Sequence, residues 1–411
     1  MQPRQIRIED YSYQLPEERI AQYPLVERET SRLLVYRGGN ISEKIFNQLS
    51  EILTAETLLV FNDTKVIHAR MFFTTQSNAT IEVFCLEPVS PVTDLRLAIF
   101  THEPTVWRCL VGNAKRWKET EVLEKRISLG SAGTEILLKV FLEKREDETF
   151  LVRFEWNNAE ISFASVIEAA GLVPLPPYMK RSADRKDDST YQTIYGHQDG
   201  SVAAPTAGLH FTEKVFQSLK EKNISPAFLT LHVGAGTFRT VKSKTLENHP
   251  MHGERIYVNR DFILRLLEQV KNKKPIAAVG TTSLRTIESI HWFGVKLIGG
   301  DKSFELQQWE VYDSLMEKNI STEKSLRALL NFLDEENKNE FSAYTHLLCA
   351  PSYQFQLCEI LLTNFHLSQS TLLLLVAAFV GDDWKKIYDY ALENRFRFLS
   401  YGDSSILFRK M

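Results

Sequence analysis

The feature that most restricts the fold of this chain is a unit that recurs in its C-terminal half: a short apolar run, a tight loop of small or hydroxyl residues, and a helix. PIAAVG at 275 to 280 runs into TTSLRTIESIHWFG, and ILLTNFH at 360 to 366 runs into SQSTLLLLVAAFVG, which Gly381 ends. Upstream, TEKVFQSLKEKN predicts a helix capped by Thr212 with Val215, Phe216 and Leu219 on one face, and ISPAFLTLHV follows as a buried strand. FILRLLEQVKNKK is also helical in spacing. Strands that alternate with helices in this way form a parallel or mixed sheet covered by helices.

That grammar breaks between 71 and 156. TIEVFCLE, VWRCLV, TEILLKVFLE and FLVRFEW are β-branched or aromatic runs split by polar and Gly/Pro punctuation, with KREDE at 144 to 148 as a hairpin tip. The stretch reads as a small all-β module, a β-barrel inserted into an α/β main domain made of 1–70 and 157–411. Two domains suit a chain of 411 residues. ISFASVIEAAGL has helical spacing with Gly171 at its end, and the prolines of GLVPLPPYMKR then enforce an extended segment. Residues 301–346 are charge-rich and amphipathic and read as a surface insertion.

Composition excludes several classes. The longest strongly apolar run, 372 to 380, is far short of the roughly 20 residues a membrane helix needs. The opening MQPRQIRIEDYSYQ has no secretory core, so no membrane partner and a cytoplasmic location are expected. Cys85, Cys109, Cys349 and Cys358 have neither CxxC spacing nor a disulfide pattern. A net charge of −3 gives no global attraction to nucleic acid, so binding to it would need a local patch. NAKRWK, with Lys115 and Arg116, and YMKRSADRK, with Lys180, Arg181 and Arg185, are the two such patches.

Five segments concentrate small, hydroxyl and His residues at strand ends: FNDTKVIHAR, GSVAAPTAGLHFT, LHVGAGTF, GTTSLR and TNFHLSQST. Ligands of α/β sheets bind beyond the carboxyl ends of strands, where such loops gather. The helix that GTTS opens offers free amides and a positive dipole end to a carboxylate or phosphate, although Thr282 or Ser283 would equally serve as plain caps. LHVGAGTF lacks the full dinucleotide fingerprint, NHPMHGE is not HExxH, and no GxSxG is present. No metal site is therefore expected, and a serine nucleophile has no local support.

Taken together, LPEERIAQYPLVERETSRLLV, LLVFNDTKVIHAR, GLVPLPPYMKR, YQTIYGHQDGSVAAPTAGLHFT, LTLHVGAGTFRTV, HPMHGE, AVGTTSLRTIES, LLTNFHLSQSTLL and RFRFLSYGD resemble the blocks of the S-adenosylmethionine:tRNA ribosyltransferase-isomerase family of the queuosine pathway. They stand in the family's order along nearly the whole chain. The resemblance implies a mixed α/β domain with a smaller β-barrel domain. It implies S-adenosylmethionine as co-substrate, no prosthetic group, and tRNA, met at its anticodon loop, as partner. The implied reaction places the ribosyl group of S-adenosylmethionine on 7-aminomethyl-7-deazaguanine at the wobble position, releases adenine and methionine, and leaves epoxyqueuosine.

That chemistry asks for a base to take a proton from the 5′ carbon beside the sulfonium and a proton donor for departing adenine. Histidine suits both tasks, so His210 or His232, with His366 as an alternate, is expected to supply a proton-transfer group, with Asp63 orienting a partner or the ribose hydroxyls. Ala203, Ala204, Pro205, Thr206 and Gly208 would let the nucleoside lie against the backbone. Gly280, Thr281, Thr282 and Ser283 would take the methionine carboxylate, with Arg285 as a charged alternative. Lys115, Arg116, Lys180, Arg181 and Arg185 would meet tRNA phosphates. The chain departs from the family blocks at Asn113, where a proline is usual, at Ser352, where a glycine is usual, and at Ser368, again in place of proline. A paralogue with another acceptor, or a noncatalytic binding protein that keeps the fold, is the alternative reading.

Overall fold

The structure is a computed structural model and describes residues 2–129, 133–234 and 240–410. It divides into two compact units, one of Met1–Asp63, Thr193–Tyr195 and Pro205–Met411, the other of Thr64–Gln192 and Gly196–Ala204. The chain enters the larger unit through β1 (Arg32–Arg37), β2 (Asn40–Ile45) and β3 (Leu58–Asn62). It then builds the smaller unit from β4 (Thr64–Val66), β5 (Arg70–Thr74), β6 (Thr80–Ser90), β7 (Thr105–Gly112), β8 (Leu123–Leu129), β9 (Thr134–Arg145), β10 (Phe150–Trp156), α1 (Phe163–Ala170), β11 (Gly171–Leu172) and β12 (Gln198–Ser201).

The smaller unit is a seven-stranded antiparallel sheet in the order β11-β5-β6-β7-β10-β9-β8, with β12 and β4 as a separate pair. Alternate residues of its strands turn inward and are buried, among them Met71, Val83, Trp107, Leu138 and Phe154. The sheet curls until β8 lies beside β5, without pairing with it among the described residues, so the expected barrel is an open half-barrel. Phe163 of α1 fills the curl, with its ring 5.3 Å from Trp107 and 5.2 Å from Phe154. KREDE makes the turn between β9 and β10, closed by the Glu146 amide on the Thr149 carbonyl. The segment 157–192, read from sequence as part of the main domain, clusters with this unit.

The larger unit continues through α2 (Glu213–Glu221), β13 (Ser225–Leu231), β14 (Glu254–Asn259), α3 (Arg260–Lys271), β15 (Ile276–Val279), α4 (Thr281–Ile298), β16 (Glu305–Leu306), α5 (Thr322–Glu335), β17 (Glu340–Thr345), β18 (Ile360–Asn364), α6 (Thr371–Val380), α7 (Asp383–Glu393) and β19 (Ser404–Phe408). Its ten-stranded sheet runs β16-β17-β14-β13-β3-β15-β18-β19-β1-β2. The inner strands β13, β3, β15 and β18 are mutually parallel, whereas β14 and β19 run against them. Parallel strands are covered on both faces, which is why LLVFN of β3 and IAAV of β15 are apolar nearly throughout and buried throughout. Leu59, Phe61, Ala277 and Val279 pack with Val215 and Leu219 of α2 in one core.

Residues 301–346 are not laid on the surface, contrary to the sequence reading. β17 pairs with β14 and with β16 inside the sheet, and α5 packs on both α4 and α3. Its Leu326, Leu329 and Leu333 are fully buried. The polar residues of TEKSLRALLNFLDEENKNE form the outer face of an amphipathic helix, and that face dominates the composition.

Candidate active site

Because β3, β13, β15 and β18 are parallel, their carboxyl ends at Asn62, Leu231, Val279 and Asn364 share one edge of the larger sheet. The amino ends of the antiparallel β14 and β19, Glu254 and Ser404, lie on the same edge. The sequence-predicted loops of the larger unit therefore converge. Asn62 fixes this edge: its side-chain amide donates to the Leu231 carbonyl at 2.9 Å, and its side-chain oxygen accepts the Leu231 amide at 3.0 Å. Asp63 follows, buried, with one carboxylate oxygen accepting from the Thr230 hydroxyl at 2.6 Å.

GTTSLR forms the start of α4. Gly280 is the N-cap with φ +90°, a backbone that favours glycine, and the first helical bond runs from the Leu284 amide to its carbonyl. The amides of 281–283 lie ahead of that ladder, as in any helix N-terminus. Ser283 is not a cap, since its hydroxyl donates back to the Val279 carbonyl at 2.8 Å. The Thr282 hydroxyl is buried with no hydrogen-bond partner among the described residues and lies 3.6 Å from where a side chain on Gly280 would begin. Arg285, one turn on, is buried; its Nε donates to the Leu347 carbonyl at 3.0 Å, its Nη1 to Glu254, and its Nη2 has no partner among the described residues. Burial alone would raise the Glu254 carboxyl, but Arg285 and His252, the latter at 3.7 Å, draw it down to about 2.

The small-residue stretch divides between the units. Ala203 and Ala204 are buried in the smaller one, where Ser201 donates to the Ala203 carbonyl at 2.7 Å. Pro205 to His210 belong to the larger one. There Thr206 donates to the Asn364 side chain at 3.0 Å, and Ala207 joins the core around Phe61 and Val279. A methyl group on Gly208 would meet the Tyr195 hydroxyl at 1.9 Å, so close packing by itself accounts for that glycine. Thr212 is the N-cap of α2, yet its hydroxyl makes no capping bond.

The three histidines differ in setting. His210 is buried against Phe46 and has both ring nitrogens near partners, Nδ1 at 2.8 Å from the Ser31 hydroxyl and Nε2 at 3.5 Å from the Asn364 amide. Burial pushes its imidazole down to about 4. His366 is pushed down to about 3 by burial, with Nε2 2.8 Å from the Thr363 hydroxyl. His232 follows β13 beside the Asn62 clamp; its amide donates to the Arg255 carbonyl, and its ring stands edge-on to Tyr257 at 5.5 Å. Of LHVGAGTF, 235–238 lie outside the described residues. His249 and His252 sit near Glu254, but no group of three or more metal-ligating side chains is found among the described residues.

The basic residues assigned to tRNA all lie in the smaller unit. Lys115, Arg116, Lys180 and Arg185 are exposed. Arg181 is mostly buried and makes two bonds of 2.7 Å to Asp187, so its guanidinium is occupied within the protein. The departures from the family blocks have structural correlates. Asn113 has φ +58°, which proline cannot adopt; Ser352 has φ +89°; and the Ser368 hydroxyl accepts the Tyr13 amide at 3.0 Å. Two surface grooves, of about 620 Å³ beside Lys386 and Tyr390 and of about 210 Å³ beside Arg265 and Lys274, include none of these candidate residues.

Sequence reasoning missed Asn62, Thr230 and Tyr195, and it weighed Glu254 only as part of NHPMHGE, where a metal site is set aside. No local motif marks them, because each acts on a partner brought close by the fold.

Residues 8–407 match a family model described as "Queuosine biosynthesis protein". The S-adenosylmethionine:tRNA ribosyltransferase-isomerase of Halothermothrix orenii is 35% identical, over 98% of this chain and 100% of that protein. The protein of the same name from a Sulfurihydrogenibium species is 33% identical over the same shares. The crystal structure of S-adenosylmethionine tRNA ribosyltransferase from Thermotoga maritima aligns over 97% of this chain and 99% of that one, at 26% identity and a TM-score of 0.46.

Proposed function

The chain belongs to the queuosine biosynthesis protein family, and from that premise we propose that it is an S-adenosylmethionine-dependent tRNA ribosyltransferase-isomerase. It transfers and isomerises the ribosyl group of S-adenosylmethionine onto 7-aminomethyl-7-deazaguanine at the tRNA wobble position in the anticodon loop. Adenine and methionine leave, and the base becomes epoxyqueuosine. The observation that supports this reading most is the gathering of Asp63, His232, Thr282, Arg285 and Asn364 at one sheet edge, where α/β proteins bind ligands.

In this reading the start of α4 takes the methionine carboxylate, through its leading amides, the Thr282 hydroxyl and Arg285. The backbone from Pro205 to Gly208 lies against the nucleoside. Asp63, anchored by Thr230, orients ribose hydroxyls. His232, which follows β13 on the sheet edge that holds Asp63 and Thr282, is favoured for proton transfer at the 5′ carbon or the departing adenine. His210, with both ring nitrogens near neighbouring side chains, and His366, with its Nε2 near the Thr363 hydroxyl, support the loops that carry them. Replacing His232 with Ala should lower turnover by roughly 10²-fold or more. Near-normal turnover would remove it from that role.

The deciding experiment incubates the protein with S-adenosylmethionine and tRNA that carries 7-aminomethyl-7-deazaguanine, and follows epoxyqueuosine and free adenine by mass spectrometry. Both products are expected. Adenine without modified tRNA would mean a different acceptor, and neither product together with no tRNA binding would mean a noncatalytic protein.

A further inference from the structure

Arg285 is buried, and two of its three nitrogens are satisfied, leaving Nη2 with no acceptor among the described residues. Folded proteins rarely keep a buried guanidinium N–H unsatisfied, because the lost hydration is not replaced. One turn earlier the Thr282 hydroxyl is in the same condition. Residues i and i+3 share a helix face, and a long side chain lies over the turn N-terminal to its own position. Both orphan groups therefore belong to the first turns of α4, where the helix amides are also donors. A ligand that completes them must bring acceptor oxygens.

What orients Arg285 is Glu254. It stands at the start of β14, opposite Thr345 of β17, so the sheet itself sets the position of its carboxylate. Its side chain is fully buried and accepts from Nη1. A buried ion pair is seldom needed for stability, since apolar replacements often serve as well; what it supplies here is a fixed guanidinium plane. The pair also carries no net charge. A carboxylate would thus be recognised by aimed donors more than by excess positive charge, which suits a site that must release methionine afterwards.

Resting on the ribosyl-transfer reading, we propose that Glu254 is a positioning residue that holds Arg285 so that Nη2, with Thr282, meets the carboxylate of S-adenosylmethionine at the start of α4. The test compares the affinity of the full chain for S-adenosylmethionine and for its decarboxylated analogue, by calorimetry. The wild type should prefer the carboxylate-bearing ligand by about tenfold or more. E254A should reduce that preference to near unity, E254Q should keep most of it because its amide oxygen still accepts from Nη1, and T282V should reduce it partly. Equal weakening of both ligands by E254A, or an unchanged preference, would overturn the proposal. Should E254A not fold, an unchanged preference in T282V overturns it instead. A wild type that binds both ligands equally sinks the carboxylate site and leaves the ribosyl-transfer reading standing, whereas one that binds neither sinks both.

Discussion

Gly208 has no room for a methyl group, because the Tyr195 hydroxyl lies where one would go. Replacing it with Ala should cost about 1–3 kcal/mol through overpacking, read as a lower urea midpoint. Adding Y195F should recover part of that loss but not all, since the ring carbon would still be 2.9 Å away. Ser352 makes the opposite case: at φ +89°, it occupies backbone space that glycine enters freely. S352G should stabilise by about 0.5–1 kcal/mol and raise the thermal midpoint by about 2 °C. These two positions define what single residues reveal. The small residues of GSVAAPTAGLHFT are visible in the sequence, but whether Gly208 is small for a ligand or for Tyr195 depends on a neighbour 13 positions away in the chain. Arg181 looks like Lys180 and Arg185 in sequence, and only the fold reveals that Asp187 holds it.

Among the elements, strands and helices of the larger unit are legible because their periods differ, and LLVFN, IAAV and TLLLLVAAFV fall where the apolar runs predict. The segment 301–346 is misread because amphipathic spacing gives a helix's face and not what that face meets. Leu329 tests the correction: L329A should cost about 2–5 kcal/mol, as core truncations do, whereas a surface position would change little. α4 is buried along most of its length despite Thr, Ser, Glu and His, since most of these find a partner; His291, for example, meets the Ser325 hydroxyl at 2.8 Å. Burial pushes His291 down to about 4, as it does His210, and pushes His366 to about 3. Each is neutral when folded and takes up a proton near pH 6.5 when unfolded. Unfolding therefore binds protons between pH 6.5 and about 4, and stability is full above that window and falls through it. The acid limb of a stability-against-pH curve should steepen by up to about 1.4 kcal/mol per pH unit for each histidine, and H291Q should make it shallower.

For the molecule as a whole, net charge gives no sign of a nucleic-acid partner, so the proposed tRNA binding rests on exposed cations of the smaller unit. Replacing Lys180 and Arg185 with Ala should weaken tRNA binding and reduce the slope of log affinity against log salt by about one for each phosphate no longer neutralised. R181A should lower thermal stability, with its effect on that slope small. The order of the larger sheet has a consequence for how the chain acquires its structure. Among the described residues, β3 finds its partners only in residues 225–229 and 276–278, and the β1–β2 hairpin joins the sheet only through β19, with Leu33 beside Ser404. The half-barrel needs no such wait, because its strands are nearly consecutive in the chain. A growing polypeptide should thus complete the interrupting unit first while β1 to β3 stay unprotected, and pulsed hydrogen exchange during refolding should show the amides of β6 and β7 shielded before those of β3. Loss of β19 would then part the sheet between β18 and β1, not trim it at a margin, and leave the first hairpin with nothing to join.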